Sequence, residues 1–400
     1  MELANKKIVL GLSGGVACYK AAELTRALIK AGATVQVVMT DAATRFITPV
    51  TMQALSGHMV HVDQWDPRIT NNMAHIDLTR GADAIVIAPC SADFLRKLAQ
   101  GACDDLLSTL CLARPGGIPL LAAPAMNVEM WQNPATQRNV AQLRADGIRL
   151  LGPAAGEQAC GETGMGRMLE PEQLLELIVG SFQPALLAGR RVLVTAGPTF
   201  EPIDPVRGLT NLSSGKMGYA LARAARDAGA AVTLVSGPTA LGAPIGVARI
   251  DVQTAQQMHA AVMQQVAGQD VFIAVAAVAD WRVTNVSKQK LKKNGAGDTR
   301  AAPKLEFALN PDILAEVAAL PGAPYCVGFA AESENLAQHA EDKRHRKNIP
   351  LLVGNIGHHT FGRDTNELML FDADGATAIP PAVKITLARR LITEIARRLG

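Results

Sequence analysis

Three stretches of this sequence place reactive side chains beside turn-forming ones. The first is Pro124-Ala125-Met126-Asn127-Val128-Glu129-Met130-Trp131, which follows the apolar run Pro119–Ala123. Asn127 offers amide donors and a carbonyl acceptor, a set suited to gripping a carboxylate. A plain Asn turn would use the same residue. The second stretch is Gly156-Glu157-Gln158-Ala159-Cys160-Gly161-Glu162-Thr163-Gly164-Met165-Gly166-Arg167-Met168. Its glycine density predicts a mobile flap rather than a packed element. Cys160 on such a flap is either a redox or proton-transfer group or a passive thiol. The third is His75, in Met73-Ala74-His75-Ile76-Asp77. An imidazole can accept a proton and suits general-base work. A lone His in such a segment is otherwise unremarkable.

Other segments are suited to anions. Ser13-Gly14-Gly15-Val16-Ala17 lets backbone N–H groups approach a phosphate at the start of the next helix, or serves as a plain tight turn. Pro89-Cys90-Ser91-Ala92-Asp93 follows the strand-like Ala84–Ala88, and ligands of open α/β sheets sit at strand carboxyl ends. Ser91 and Asp93 could equally cap the helix that begins near Phe94. Asn211-Leu212-Ser213-Ser214-Gly215-Lys216-Met217-Gly218 superficially suggests a Walker A loop. It fails that pattern, with Thr210 in place of Gly and Met217 in place of Ser or Thr. Its hydroxyls and N–H groups can still cradle an anion. The segment Thr199–Arg207 sets carboxylates and an arginine beside it. Lys288, Lys290, Lys292 and Lys293 form a basic loop, and Lys343-Arg344-His345-Arg346-Lys347 a basic helix end. A triphosphate needs such cations, usually with Mg²⁺. A solvated lysine loop and a satisfied helix dipole need no ligand.

The elements that must position these groups start the same way twice. An apolar strand, Lys6–Gly11, enters the Ser13 turn, a helix runs to about Lys30, and a strand Thr34–Met39 follows. Later Arg190–Thr195 enters Ala196-Gly197-Pro198-Thr199, then a helix Lys216–Ala228 and a strand Ala231–Ser236. Both read β–loop–α–β. Further strands are expected at Ala84–Ala88, Pro119–Ala123, Val271–Val275, Tyr325–Phe329 and Leu351–Val353. Helices are expected at Ala255–Ala267, Ser333–Lys347 and Pro381–Leu399. The alternation predicts an α/β protein of two Rossmann-like three-layer domains, 1–188 and 189–400, joined through 181–189.

Composition narrows the function class. The chain is 48% hydrophobic and 19% charged, enough apolar material for buried cores. A net charge of +3 over 400 residues gives no basis for a nucleic-acid partner. None of the six cysteines makes a C-x-x-C pair, so zinc and thioredoxin-like sites are not indicated. Free thiols, no signal-peptide core and no apolar run of roughly 18 residues predict a cytoplasmic protein with no membrane span.

Pro124–Met130 resembles the P-x-M-N-x-x-M motif of flavin-containing cysteine decarboxylases. The Ser13 turn, His75, Pro89–Asp93 and the Cys160 flap fall in the expected order around it. Thr199–Arg207 and Asn211–Gly218 resemble the T-x-E-P-x-D-x-V-R and N-x-S-S-G-K-M-G signatures of phosphopantothenate–cysteine ligases. The whole chain thus resembles the bifunctional phosphopantothenoylcysteine decarboxylase/phosphopantothenate–cysteine ligases of coenzyme A biosynthesis. It departs in carrying Ala92-Asp93 where members often have Ala-Asn, and Cys90 where they have a small residue.

The resemblance implies a flavodoxin-like flavoprotein decarboxylase fold followed by a ligase fold. FMN would be bound through Ser13, Gly14, Gly15, Thr40, Ser91, Asp93 and Met126. Oxidation of the cysteinyl thiol to a thioaldehyde lets the adjacent carboxylate leave as carbon dioxide, and reduction returns the enethiolate to a thiol. His75 is then the base, Asn127 and Met130 contact substrate, and Cys160 is the proton donor. In the second half, CTP with Mg²⁺ would activate 4′-phosphopantothenate as an acyl-cytidylate, which cysteine attacks. Asn211 and Arg207 are then substrate residues, and Asn211 and Lys290 are catalytic ones. The implied CTP site is Ala274, Val275, Ala276, Asp280, Lys290, Asn310, Pro311, Asp312, Ile313, Phe329, Lys343 and Lys347. The resemblance further implies homo-oligomers, with decarboxylase trimers, ligase dimers and a dodecamer overall. Two alternatives are a peptidyl-cysteine decarboxylase and a non-catalytic regulatory flavoprotein.

Overall fold

The structure, a computed structural model, describes residues 1–66, 73–291, 304–332, 336–356 and 364–400. The chain divides into two compact units, Met1–Phe182 and Gln183–Gly400. That division lies inside the expected linker, upstream of residue 188.

The first unit has strands β1 (Lys7–Leu12), β2 (Thr34–Met39), β3 (Ala84–Cys90), β4 (Leu120–Pro124), β5 (Arg149–Leu150), β6 (Ala154–Glu157) and β7 (Thr163–Arg167). The first five form a parallel sheet in the order β2-β1-β3-β4-β5. This is the flavodoxin-like order. β3 is buried at every position, as expected of a parallel strand covered on both faces. Val9, Ile85 and Ile87 pack on one face with Phe94, Leu107 and Leu110. The helix Cys18–Lys30 packs on the sheet and on the helix Pro171–Ser181. β6 and β7 form an antiparallel hairpin. The glycine-rich segment expected to be a loose flap is therefore ordered by its own ladder.

The second unit has β8 (Arg191–Ala196), β9 (Phe200–Pro202), β10 (Gly208–Thr210), β11 (Ala231–Ser236), β12 (Ala248–Asp251), β13 (Val271–Ala274), β14 (Trp281–Val283), β15 (Phe307–Leu309), β16 (Tyr325–Glu332), β17 (Leu351–Ile356), β18 (Thr365–Asp372) and β19 (Gly375–Val383). Its main sheet runs β12-β11-β8-β13-β16-β17-β18-β19. Successive β8 residues serve opposite layers, because strand side chains alternate. Val192 and Val194 join the helices Lys216–Asp227 and Lys384–Leu399, while Leu193 joins Met258, Val262 and Val317. Both units are thus three-layer α/β structures.

One expected helix start is corrected. Residues 381–383 end strand β19, and the last helix begins at Lys384. Pro381 stands at the expected helix start, a position that favours proline. β19 is the edge strand, where a missing N–H need not cost a ladder bond. The antiparallel β18–β19 pair was not anticipated.

Candidate active sites

In the first unit the chain leaves β1 for β2 on one side and returns to β3 on the other. The switch point therefore lies between β1 and β3, where open sheets bind ligands. Ser13 sits there, buried. Its Oγ donates to the Pro89 carbonyl at 2.8 Å and accepts the Ser91 N–H at 2.8 Å. The hydroxyl stitches the two strand ends together and leaves Gly14 and Gly15 to face the cavity. A Cβ on Gly14 would come within 2.6 Å of the Ala42 Cβ, so the turn approaches that segment as only glycine can. Thr40 caps the short helix Asp41–Thr44, its Oγ1 accepting from Ala43 N at 3.2 Å.

The cavity here is about 490 Å³. Gly14, Gly15, Ser91, Met126, Asn127, Met130 and Cys160 all line it. Ser91 also caps the helix Ala92–Gln100, accepting from Phe94 N at 3.2 Å. Asp93 does not line the cavity; its carboxylate is exposed and pairs with Arg96 at 3.0 Å. Cys90 is buried and its thiol is pushed far above its ordinary value by desolvation.

The hairpin roofs the cavity by docking on Pro124–Met130. Met126 N donates to the Gly166 carbonyl at 3.0 Å, and Val128 N donates to Gln158 Oε1 at 2.9 Å. Gly166 has φ +131°, and a Cβ there would meet the Met126 carbonyl oxygen at 2.4 Å. Asn127 caps the helix Val128–Gln132 through Oδ1, which accepts Met130 N at 2.9 Å. Its amide nitrogen is thereby turned toward the hairpin, where Nδ2 donates to Glu162 Oε2 at 3.2 Å. Cys160 Sγ donates to the same oxygen at 3.4 Å. Below, the buried Lys20 joins the first helix to the hairpin base. Its Nζ donates to the Met168 carbonyl at 2.8 Å and pairs with Glu170 at 2.9 Å.

His75 is not brought into this cavity. It lies half-buried on the helix Ala74–Arg80, which packs against the helix Leu106–Ala113. Ser13, Thr40, Asp93 and His75 are thus the expected residues outside the lining. Lys20, Gln158, Glu162 and Arg167 are the unanticipated ones around it. Glu162 lies only two residues beyond Cys160, a spacing that could have flagged it.

The second unit repeats the switch point between β8 and β13. Again hydroxyls stitch the strand ends: Thr195 Oγ1 accepts Ala276 N at 3.3 Å, and the buried Thr199 Oγ1 accepts Ala279 N at 2.9 Å. Two lobes of about 300 and 390 Å³ meet there, sharing Ala276, Val278, Asp280, Phe329 and Lys343. Ala274, Asn310, Pro311, Asp312, Ile313 and Lys347 line the first lobe. Asn310 Nδ2 donates to the Ala279 carbonyl at 2.8 Å, and Lys347 pairs with Asp312 at 2.8 Å. Burial opposes ionisation of Asp312, but Lys347 and the Ala315 N–H outweigh it and hold the carboxyl below its ordinary value.

Val275, Asn211, Ser213, Ser214 and Lys216 line the second lobe, with the unanticipated Asn355, Asn366 and Lys384. Asn211 Nδ2 donates to the Ala277 carbonyl at 2.9 Å. Burial pushes the Lys384 ammonium below its ordinary value, and the nearby Lys216 charge adds to this.

Arg207 lines neither lobe. It is clamped on the buried Asp204, with Nε at 3.0 Å and Nη2 at 2.5 Å, and Nη2 also donates to the Leu291 carbonyl at 2.7 Å. Asp204 further accepts N–H bonds from Val206, Arg207 and Leu291. This clamp anchors the chain beside Lys290, which is exposed and lines neither lobe. Lys292 and Lys293 lie outside the described residues.

Comparison with known proteins accounts for both halves. Residues 1–183 match the flavoprotein family, and residues 187–399 match the C-terminal domain of DNA/pantothenate metabolism flavoproteins. The coenzyme A biosynthesis bifunctional protein CoaBC of Vibrio cholerae is 50% identical over 97% of this chain and 97% of its own length. Its counterpart from Escherichia coli is 46% identical over 100% of this chain and 98% of its own. The Bacillus subtilis protein is 42% identical over 98% and 97%. With a flavoprotein unit and a pantothenate-metabolism unit in one chain, each with a cavity at its switch point, this protein belongs to the family of bifunctional coenzyme A biosynthesis proteins.

Proposed function

We propose that the protein makes 4′-phosphopantetheine in two steps: the second unit joins 4′-phosphopantothenate to cysteine, and the first decarboxylates the product. The observation that carries the decarboxylase reading is the convergence of Asn127 and Cys160, through Glu162, in a cavity at the β1/β3 switch point. Met126, Ala92, Ala125 and Val16 supply apolar walls for a flavin ring, and Gly14-Gly15 offers N–H groups for its phosphate. FMN fits these residues. It would supply a two-electron oxidation of the substrate thiol and the return of those electrons.

The chain's own groups do the rest. The Asn127 amide grips the substrate carboxylate without adding charge that would hold the carbon dioxide back. Cys160, on the roof, gives a proton to the enethiolate left after decarboxylation. His75 accepts the proton lost at the oxidation step. Since one chain keeps His75 outside its cavity, it reaches the site from a second copy, as a trimer with sites at its interfaces would allow. The exposed Val16, Tyr19 and Met130 at the rim are apolar groups that such a neighbour would cover.

In the second unit the first lobe takes the nucleotide, which we assign as CTP. Lys343 and Lys347, with Lys290 from the anchored loop, offset its phosphates. Among the described residues no cluster of three or more acidic, His or Cys side chains is placed to hold a metal. Mg²⁺ would enter on the phosphates themselves, its usual mode. Asn211 then positions the acyl-cytidylate where the lobes meet. Dimerisation of this unit and a dodecameric whole complete the proposal.

The test is Asn127→Ala in the full-length, FMN-loaded protein supplied with phosphopantothenoylcysteine. Carbon dioxide release is expected to fall by roughly a hundredfold or more. Unchanged release would remove Asn127 from the site.

A further inference from the structure

Glu162 takes no part in the proposed reaction, yet it holds both of that reaction's key groups. One of its carboxylate oxygens accepts the Asn127 amide at 3.2 Å and the Cys160 thiol at 3.4 Å. The backbone around it is firmly placed. The Glu162 carbonyl accepts Gln158 N at 2.8 Å. The Gln158 side chain in turn ties the hairpin to Val128 N and to the Met165 carbonyl. Asn127 Oδ1 is spent on Met130 N, so the amide nitrogen is the end left to meet a ligand. A glutamate and the substrate's carboxylate are the same chemical group, and they would meet the same amide.

We infer that Glu162 is a specificity-determining positioning residue, the resident occupant of the Asn127 seat that the substrate carboxylate must displace. The inference rests on the reading of Asn127 as the carboxylate grip. A ligand that carries a carboxylate can exchange for Glu162 one for one. After carbon dioxide leaves, the product has no group to hold the seat, and Glu162 returns to it. Because the acid must displace Glu162 and the decarboxylated product need not, the exchange offsets part of the acid's hold on Asn127 and draws the hairpin back onto Asn127 as the product departs. No bond is made or broken in it; two anions trade one donor.

The test uses the full-length, FMN-loaded protein and two unreactive probes read by flavin absorbance. One probe is 4′-phosphopantothenoylserine, which keeps the carboxylate and lacks the thiol. The other is 4′-phosphopantetheine, which lacks the carboxylate. Glu162→Ala is expected to tighten the serine probe roughly three- to tenfold, the net scale of one hydrogen bond. The pantetheine probe should stay within about twofold. Glu162→Gln keeps the size and an acceptor oxygen but loses the charge, and should fall between wild type and Glu162→Ala. Equal shifts for both probes, or none for the serine probe, would overturn the inference. Asn127→Ala separates the two claims. If it weakens the serine probe while Glu162→Ala changes nothing, the grip stands and the resident occupant does not. If Asn127→Ala leaves the serine probe unchanged, the grip itself is wrong. Retained flavin absorbance shows that each variant is folded at the site.

Discussion

The two units solve the same placement problem with different materials. In each, a buried hydroxyl at the end of the first strand binds the backbone just beyond the strand across the switch point. Ser13 does this for Ser91, and Thr195 does it for Ala276. Beyond that shared seam they diverge. The first cavity is roofed by its own hairpin, with apolar walls and a chain of side-chain hydrogen bonds from Asn127 through Glu162 to Cys160. The second cleft is divided into two adjoining lobes and set with Lys216, Lys343, Lys347 and Lys384. Redox and proton steps need a few placed groups and a cover against water. Triphosphate chemistry needs cations. On the proposed reactions, one α/β seam hosts both because the loops at the strand ends carry the chemistry and the sheet only positions them.

The contrast is broken most sharply at Cys160. Cys160→Ser should still release carbon dioxide but stop at the oxidised enethiol, lowering full turnover by about 10²–10⁴-fold. Product analysis decides it, and complete turnover would take Cys160 out of the mechanism. The ligase should be unaffected. Lys343→Ala is the converse. It should raise the nucleotide KM by about 10- to 100-fold, roughly 1.4–2.8 kcal/mol, and leave decarboxylation of supplied phosphopantothenoylcysteine intact. Equal loss of both activities would contradict two separate sites.

A third variant sharpens the role of the hairpin. Gly166→Ala drives a Cβ into the Met126 carbonyl at positive φ and should cost the hairpin dock about 3 kcal/mol. At Gly161 a Cβ would meet no atom within 4 Å, so Gly161→Ala should cost only its φ, about 1 kcal/mol. Thermal unfolding and FMN affinity read the difference, and equal costs would deny the docked roof.

The smallest effect is a pH dependence in the second unit. Arg207 foremost, with three N–H donors and against burial, holds the Asp204 carboxyl well below the usual range. A depressed pKa means stability that is present above the ordinary carboxylate value and lost as pH falls through the folded one. Asp204→Asn should therefore lower Tm at pH 7, and the gap from wild type should close only below about pH 4. A gap that closes between pH 7 and 5 would assign the clamp to another group.

Much of this was legible in the residues because it is local. β2 and β11 fall where their apolar runs place them, and the helix Lys216–Asp227 starts at the residue expected. Glycine turns after β1 and β8 marked both seams. Other features depend on contacts distant in sequence. Ser13 is drawn away from any ligand by Pro89, and Arg207 by Asp204 and Leu291. The hairpin's order comes from its own ladder and from docking on Met126–Val128, which glycine density alone reads as looseness. β19 hid behind its prolines because its edge position is a property of the whole sheet. His75 stands outside the cavity of a single chain, and no local pattern reveals that.

At the centre stands the proposal that one chain makes and then consumes phosphopantothenoylcysteine. A coupled assay with 4′-phosphopantothenate, cysteine and either CTP or ATP, following pyrophosphate and carbon dioxide separately, tests it most directly. The expected result is pyrophosphate with CTP, carbon dioxide after it, and 4′-phosphopantetheine as the final product. Carbon dioxide without any nucleotide-dependent pyrophosphate, or pyrophosphate with no carbon dioxide from FMN-loaded protein, would contradict it.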